Sequence, residues 1–259
     1  MTIGIGFLDA EEILLGSDME MTGGGTLKYR GSKDHWGWFD GEDGTIAAVY
    51  AGLENDMRAV WEKLEEGIYA RQSDTSVIGV KGVREVLEHA VDEVIGKKKS
   101  SFEMLVGISK KQELPLFLKV FGNRVVRADR WELIGYGNCE LAHYLLQMFD
   151  ERGPNTLPQA VLWATHIIST ANHFVQYVGQ GIRLLVVANG QLHLMDGDMF
   201  TQRLAEIERR IAGIWFDACN TKLSPEELKA ALDRGITGII SASGSFSSLM
   251  RYALKPQEQ

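Results

Sequence analysis

Thr2-Ile3-Gly4-Ile5-Gly6-Phe7-Leu8 opens the chain, and Ile13-Leu14-Leu15-Gly16-Ser17-Asp18 follows after a short acidic turn. These two apolar runs predict a pair of short β-strands. Because only Met1 precedes it, Thr2 places a hydroxyl at the start of the first strand. Removal of Met1, which is common before a small residue, would give Thr2 both a hydroxyl nucleophile and a free α-amine that titrates near neutrality and can act as a base. Many proteins begin with Met-Thr, so the pair alone does not define a site.

The overall composition is that of an ordinary globular protein. The chain has 259 residues, of which 45% are hydrophobic and 24% charged. Such a chain can bury a sizeable core in one large domain, or in one domain with an extension. The formal net charge of −8 argues against a nucleic-acid partner. The dense basic run Lys97-Lys98-Lys99 is interpreted as a solvated helix end.

Neither export nor membrane insertion is expected. The N-terminus lacks the basic and long apolar regions of a signal peptide, and no apolar run is long enough to span a bilayer. We therefore predict a cytoplasmic protein with no membrane partner. Cys139 and Cys219 have no metal-ligand spacing and are predicted to be reduced, buried side chains. His166 and His173 share a helix face without a third ligand, so no metal or other cofactor is expected.

Blocks of strands alternate with blocks of helices along the chain. Strands are predicted at Thr45–Tyr50, Phe102–Ile108, Pro115–Phe121, Arg124–Ala128, Leu133–Gly137, Ile182–Ala188 and Leu192–Met195. Helices are predicted near 53–68, 83–95, 138–149, 157–174 and 200–216, with a further helix start at Ser224-Pro225. Thr22-Gly23-Gly24-Gly25 is predicted to be a loop, and the Gly- and Ser-rich stretch after Asp233 receives no functional assignment. This block order favours an α+β fold in which two sheets pack together with helices outside, rather than a parallel βαβ winding.

Taken in order, these features resemble the proteasome β-subunit family of N-terminal nucleophile (Ntn) hydrolases. The chain is also similar to the peptidase subunit of the bacterial two-component ATP-dependent protease. The resemblance covers roughly Thr2 to Asp196 and rests on a set of short matches: Thr2-Ile3-Gly4, Asp18, Thr22, Lys33, Thr45-Ile46-Ala47-Ala48 and Ile134-Gly135-Tyr136-Gly137. With Thr2 as first residue, Asp18 is the seventeenth, where the family keeps an acidic residue.

The resemblance implies a four-layered αββα sandwich over residues 1–196. Residues 197–259 would then be a C-terminal helical extension that packs on this core or on a neighbouring subunit. Subunits of this family stack into closed rings, so we expect a homo-oligomer that acts on peptide or protein substrates, with an ATPase unfoldase as a further expected partner. The aromatic pair Trp36 and Trp38 and the apolar positions of the tail also favour self-association.

The resemblance also implies a threonine-type peptidase. Thr2 would attack the amide carbonyl, and Lys33, paired with Asp18, would accept or modulate the hydroxyl proton. The backbone N–H of Ala48, where the family usually has Gly, would stabilise the oxyanion. The substrate pocket would be lined by Thr22, Ile46 and Tyr50.

Several positions depart from the family's pattern. Strict counting places the family's lysine at Asp34, so Lys33 requires a one-residue shift, and Lys28 is an alternative. The family's serine in a Gly-Ser-Gly turn is Tyr136 here. The acidic residue and the serine that support the terminal amine fall on two valines, Val175 and Val178, with Gln176 and Tyr177 as nearby polar candidates.

Three functions are therefore open. The first is a threonine-type peptidase in a self-compartmentalised ring. The second is a catalytically silent scaffold subunit of a similar assembly, and the third is a small-amide hydrolase that shares the fold. The mass of the N-terminus separates the first from the second, because only a peptidase needs Met1 removed. Assembly size separates the first from the third.

Overall fold

The computed structural model describes residues 2–23, 27–75, 77–96, 102–135, 154, 156–174, 178–219 and 223–253. The chain divides into two compact units, residues 1–196 and 197–259. The first unit contains two five-stranded sheets and a separate two-stranded one. All strand pairs are antiparallel. The predicted pair of antiparallel sheets is confirmed, and the described strands do not form a parallel doubly wound sheet.

Strands are numbered in chain order. The first sheet has the order β10-β1-β2-β11-β12, with β1 Ile3–Leu8, β2 Glu12–Asp18, β10 Trp131–Gly135, β11 Ile182–Ala188 and β12 Gln191–Asp196. The second sheet runs consecutively through β5 Asp34–Phe39, β6 Gly44–Ala51, β7 Glu103–Lys110, β8 Leu116–Phe121 and β9 Arg124–Arg127. The small sheet pairs β3 Glu20–Gly23 with β4 Leu27–Arg30.

The two large sheets share an apolar core, which explains the unbroken hydrophobic runs of the sequence. On β2 and β11, one set of alternating side chains meets the second sheet across a core formed by Ile13, Leu15, Leu185, Val187, Ala47, Val49, Leu105 and Phe117. The other face of the first sheet packs on a helix, so both faces are buried and polar alternation is lost. This packing places β1 against β6 and β7 of the second sheet.

Helices cover the outer faces. Helices α1 (Glu54–Thr75) and α2 (Val80–Ile95) pack on the second sheet through a core that includes Met57, Leu64, Val83, Leu87, Val91, Ile46, Tyr50 and Val106. Helix α3 (Leu157–Phe174) contacts β1, β2 and β11 of the first sheet. There, the Phe7 and Trp163 rings meet edge to face with centroids 6.5 Å apart.

Residues 197–259 form the second unit, with helices α4 (Asp198–Ala218) and α5 (Pro225–Ala253). The two helices pack closely, since a Cβ on Gly235 would overlap the Ile214 side chain. Pro225 stands at the first helical position, as predicted. Ser224 and Glu227 form a capping box, in which the Ser224 N–H donates to Glu227 Oε2 at 2.8 Å and the Glu227 N–H donates to Ser224 Oγ at 3.3 Å.

Some sequence-based expectations differ from the structure or lie outside it. Thr22 and Gly23 belong to strand β3 rather than to a loop. The predicted helix at 138–149, the Tyr136 turn, Cys139, Val175, Gln176, Tyr177 and the Lys97-Lys98-Lys99 run lie outside the described residues. Over the described part of the chain, no helix combines the length and hydropathy needed to cross a bilayer.

Candidate active site

Asp18, at the end of β2, gathers three donors from three parts of the chain. Its carboxylate accepts the Lys33 ammonium at 2.7 Å on Oδ2 and the Ile3 N–H at 3.0 Å on Oδ1. The Gly179 N–H also donates to Oδ2, at 3.0 Å. Asp18 is 0% exposed, and a cation and two backbone donors replace the water that this carboxylate loses on burial.

Lys33 precedes β5 and is itself only 4% exposed. Its carbonyl accepts the Tyr50 N–H at 3.3 Å, which ties the residue to β6 of the second sheet. The Lys33–Asp18 ion pair therefore links the end of β2 to the beginning of β5. The structure brings these two predicted site residues together, directly beside the start of β1.

The neighbouring residue, Asp34, has different partners. Its side chain is 3% exposed and lies 3.8 Å from the Arg183 Nε. The Ser32 hydroxyl donates to the same carboxylate. The one-residue shift is therefore consistent with this geometry, because Lys33 points to Asp18 and Asp34 points to Arg183. Lys28, the other candidate, lies on β4, where side chains are outside the described part of the structure.

Thr2 lies immediately before β1 and is 9% exposed. Its backbone is held from two sides. On one side, the N–H of the next residue, Ile3, donates to Asp18. On the other side, its carbonyl contacts Gly135, the last residue of β10, which has φ +64° and pairs with Ile3 in the ladder. A Cβ on Gly135 would overlap this carbonyl oxygen and would lie 2.9 Å from the Ala51 Cβ.

The structure does not bring Ala48 to this group. Ala48 lies in the middle of β6, opposite His35 on β5 and Val106 on β7. A residue flanked by two strands has its N–H taken by one ladder or the other, so the Ala48 N–H is not available to an oxyanion. β6 continues past Ala48 to Ala51, and the exposed Gly52 follows, beyond the last ladder pair.

The predicted pocket residues are placed elsewhere. Ile46 and Tyr50 are 2% and 3% exposed and pack into the core beneath α1 and α2, so neither forms part of an open pocket wall. Thr22 lies on β3 opposite Lys28, and its side chain is outside the described part of the structure. Val178, at the position of the family's serine, is buried and apolar, as its sequence predicts.

Sequence analysis missed three contributors to the site. Two of them, Gly179 and Gly135, donate backbone N–H groups. The third, Glu103, has a partner that is distant in sequence. Gly179 contributes a backbone N–H, which its residue identity does not reveal. Glu103 accepts the Gly135 N–H across the two sheets, 32 residues away. Among the described residues, no group of three His, Cys, Asp or Glu side chains has the arrangement of a metal site.

Gly135 offers a test of the close approach to Thr2. We expect Gly135→Ala to destabilise the fold more than Gly122→Ala. Both glycines have a left-handed φ, +64° and +57°, so both alanines carry a backbone penalty of about 1–2 kcal/mol. The Cβ at residue 122 meets nothing within 4 Å, whereas that at residue 135 meets the Thr2 carbonyl. Urea unfolding of the two variants measures the difference, and equal losses would show that Thr2 is not tightly held here.

His35 gives a pH-dependent prediction close to the site. Its ring lies 5.4 Å from Trp61 and 6.0 Å from Tyr50. Burial lowers the pKa of His35 below 6.5, against the opposing effect of carboxylates such as Asp34. Because the folded-state pKa is the lower one, its stabilising contribution is complete above the unfolded pKa and is lost as pH falls through the folded pKa.

We therefore expect His35→Gln to weaken the dependence of unfolding free energy on pH between about 7 and 5. The wild-type chain should lose more stability than the variant over this interval. His193, whose pKa burial also lowers, is unchanged in both proteins. The exposed His173 is the control, and a His173→Gln variant that flattens the profile equally would refute the role of His35.

Comparison with solved structures places this geometry in a known fold. Anbu from Hyphomicrobium sp. strain MC1 matches with a TM-score of 0.68 at 14% identity, over 86% of this chain and 99% of that one. A mutant of the same protein matches with a TM-score of 0.68 at 14% identity, over 86% of this chain and 100% of that one. Anbu (ancestral beta-subunit) from Yersinia bercovieri matches with a TM-score of 0.66 at 14% identity, over 86% of this chain and 99% of that one.

These matches confirm at the level of fold the resemblance to β-subunits inferred from the sequence. At 14% identity they carry the fold alone. No family model matches the chain. No curated protein matches it either.

Proposed function

We propose that this chain is an N-terminal nucleophile hydrolase that cleaves amide bonds with Thr2, acting as a threonine-type peptidase. One observation carries the proposal. A single buried carboxylate, Asp18, holds both the Lys33 ammonium and the backbone N–H adjoining Thr2. A cation held close to the residue that carries the hydroxyl supports this chemistry.

In the proposed reaction, the α-amine of Thr2 transfers the proton and Lys33 provides electrostatic stabilisation. A hydroxyl near its free pKa is a poor nucleophile, so the α-amine of a terminal Thr2 takes its proton as Oγ bonds to the carbonyl carbon. Lys33 supplies positive potential at the developing negative charge, and Asp18 holds Lys33 in place. The amine then returns the proton to the leaving nitrogen as the C–N bond breaks. Water hydrolyses the resulting ester and releases Thr2.

We assign the oxyanion donor to Gly52 instead of Ala48. Gly52 follows Ala51, which lies beside Gly135 and therefore near the Thr2 carbonyl. It is exposed, and its φ of +134° turns the chain away from the ladder that occupies Ala48. A backbone N–H at the free end of a strand can meet a substrate oxyanion, whereas one inside the sheet cannot.

We further propose the complete four-layered αββα arrangement and a homo-oligomeric ring. For assembly, the support is the apolar surface of the helical unit, where Trp215, Phe216 and Ile240 are 72%, 78% and 67% exposed. Leu204 and Ile207, also expected to serve assembly, are buried within the chain. Light scattering at micromolar concentration tests this, and a monomer would contradict it.

Covalent trapping tests the nucleophile directly. A peptide epoxyketone captures a hydroxyl and an adjacent free amine together, so it should add to a chain that begins at Thr2 and not to one that retains Met1. Intact mass gives both the state of the N-terminus and the adduct, and fragmentation locates it. The same preparation is assayed with a panel of fluorogenic peptides.

The outcomes separate the three functions. An adduct on Thr2 with peptide turnover supports the peptidase. Retained Met1 in the native assembly, with neither adduct nor turnover, would overturn the proposal and favour a silent scaffold. Turnover of small amides only, by a monomer or dimer, would favour a small-amide hydrolase.

A further inference from the structure

Glu103 connects the two sheets at the point where Thr2 begins. It is the first residue of β7 and is ladder-paired with Ala51 on β6. Its Oε2 accepts the N–H of Gly135, a residue of the other sheet. Gly135 in turn contacts the Thr2 carbonyl and pairs with Ile3. The half-buried carboxylate of Glu103 therefore fixes the backbone of Gly135, which borders Thr2.

Among the described residues, two ion pairs lie near the start of β1. Asp18 and Lys33, which face the start of β1 from β2 and from the segment before β5, are paired with each other. Asp34 lies beside Arg183. Glu103 adds a negative charge, and its partner among the described residues is the backbone N–H of Gly135. Val178, where a family hydroxyl would stand, is apolar and cannot orient an amine.

We propose that Glu103 is a positioning residue for Thr2. Through Gly135 it holds the Thr2 backbone, and its negative charge favours the protonated form of the α-amine. This inference rests on the proposed function, because it gives the amine a supporting carboxylate from a different strand than the family's pattern implies. It predicts two separable effects, one from the hydrogen bond and one from the charge.

Two substitutions separate these effects. Glu103→Gln keeps an acceptor for the Gly135 N–H and removes the charge, whereas Glu103→Ala removes both. In protein that begins at Thr2, produced by cleaving an N-terminal fusion, we expect Glu103→Gln to lower the pKa of the α-amine by about half a pH unit. Hydrogen exchange at Gly135 should stay slow in this variant and become at least tenfold faster in Glu103→Ala.

The pKa of the Thr2 α-amine is measured with an assay that does not depend on peptide hydrolysis. The rate at which a small activated ester acylates the Thr2 amine is followed against pH by mass spectrometry of the N-terminal peptide. Where the chain is active, the acidic limb of its kcat/KM profile should shift to lower pH by the same amount in Glu103→Gln. Glu132→Gln is the matched control, because Glu132 lies on β10 opposite Gly6 and pairs with Lys119 at 2.7 Å.

The results decide the two proposals independently. A shift in Glu103→Gln and none in Glu132→Gln supports the role of Glu103, even if the wild-type chain hydrolyses nothing and the proposed function fails. No shift, or equal shifts in both variants, would overturn it while leaving Thr2 as nucleophile. If Glu103→Ala does not fold, the Glu103→Gln titration alone decides.

Discussion

Thr2→Ala is expected to abolish amide hydrolysis, by about a thousandfold or more, while leaving the fold unchanged. The side chain offers one hydroxyl, and nothing else at the start of β1 can form the ester intermediate. Its contribution to folding is small, since the backbone of residues 2 and 3 is held by Asp18 and Gly135 and not by the Thr2 side chain in the described contacts. Alanine keeps the α-amine and that backbone.

The measurement compares turnover of one fluorogenic peptide with the urea midpoint of the same preparations. Thr2→Ser is the matched control, because it keeps the hydroxyl and loses only a methyl group, so it should retain most of the activity. Each chain must begin at residue 2, verified by intact mass. Undiminished turnover by Thr2→Ala would assign the chemistry to another residue and remove the mechanism proposed for this site.

The strands around the site could be predicted because burial leaves a strong pattern. Residues 3–8 and 13–16 are apolar on both faces, and the structure explains this by a second sheet on one side and α3 on the other. The glycines of β1 are also explained, since a Cβ on Gly4 or Gly6 would overlap Ile134 or Phe117. Hydrophobic runs of this kind identify strands without indicating which residues emerge at the sheet edge.

That edge is where the sequence-based site was incomplete. Ala48 was assigned from the resemblance of Thr45-Ile46-Ala47-Ala48 to the family, but β6 stays paired with β5 up to Val49 and with β7 up to Ala51. Hairpin length sets this register, and residue identity does not reveal it. The contacts of Gly179 and Glu103 use backbone N–H groups, which every residue other than proline carries, so no side-chain pattern could identify them.

In the C-terminal unit, the intrinsic propensity of the residues does not indicate the structure that forms. Gly and Ser after Asp233 favour irregular structure by intrinsic propensity, yet α5 continues for 29 residues. Small residues permit the two helices to approach closely, as Gly235 does against Ile214. Apolar side chains such as Phe246, whose ring centroid lies 5.4 Å from that of Phe200, supply the packing that propensity lacks.

Lys33→Met is expected to remove activity and also to destabilise the fold by about 3–5 kcal/mol. The methionine fills a similar volume, but Asp18 is then a fully buried carboxylate with only two backbone donors, from Ile3 and Gly179. Combining Lys33→Met with Asp18→Asn removes the uncompensated charge, so the double variant should recover much of the lost stability. It should recover no activity, because the positive potential beside Thr2 is still absent.

Urea unfolding of the two single variants and the double variant gives the coupling free energy of the pair, and peptide turnover is measured on the same samples. The control is Lys119→Met, because the Lys119–Glu132 pair has the same separation of 2.7 Å but its side chains are 20% and 23% exposed. We expect that variant to lose about 1 kcal/mol or less. A double variant as unstable as Lys33→Met would mean that Asp18 acts mainly through its backbone donors. Full activity in Lys33→Met would mean that the buried cation serves only to neutralise Asp18, and the α-amine of Thr2 would then have to activate the hydroxyl without it.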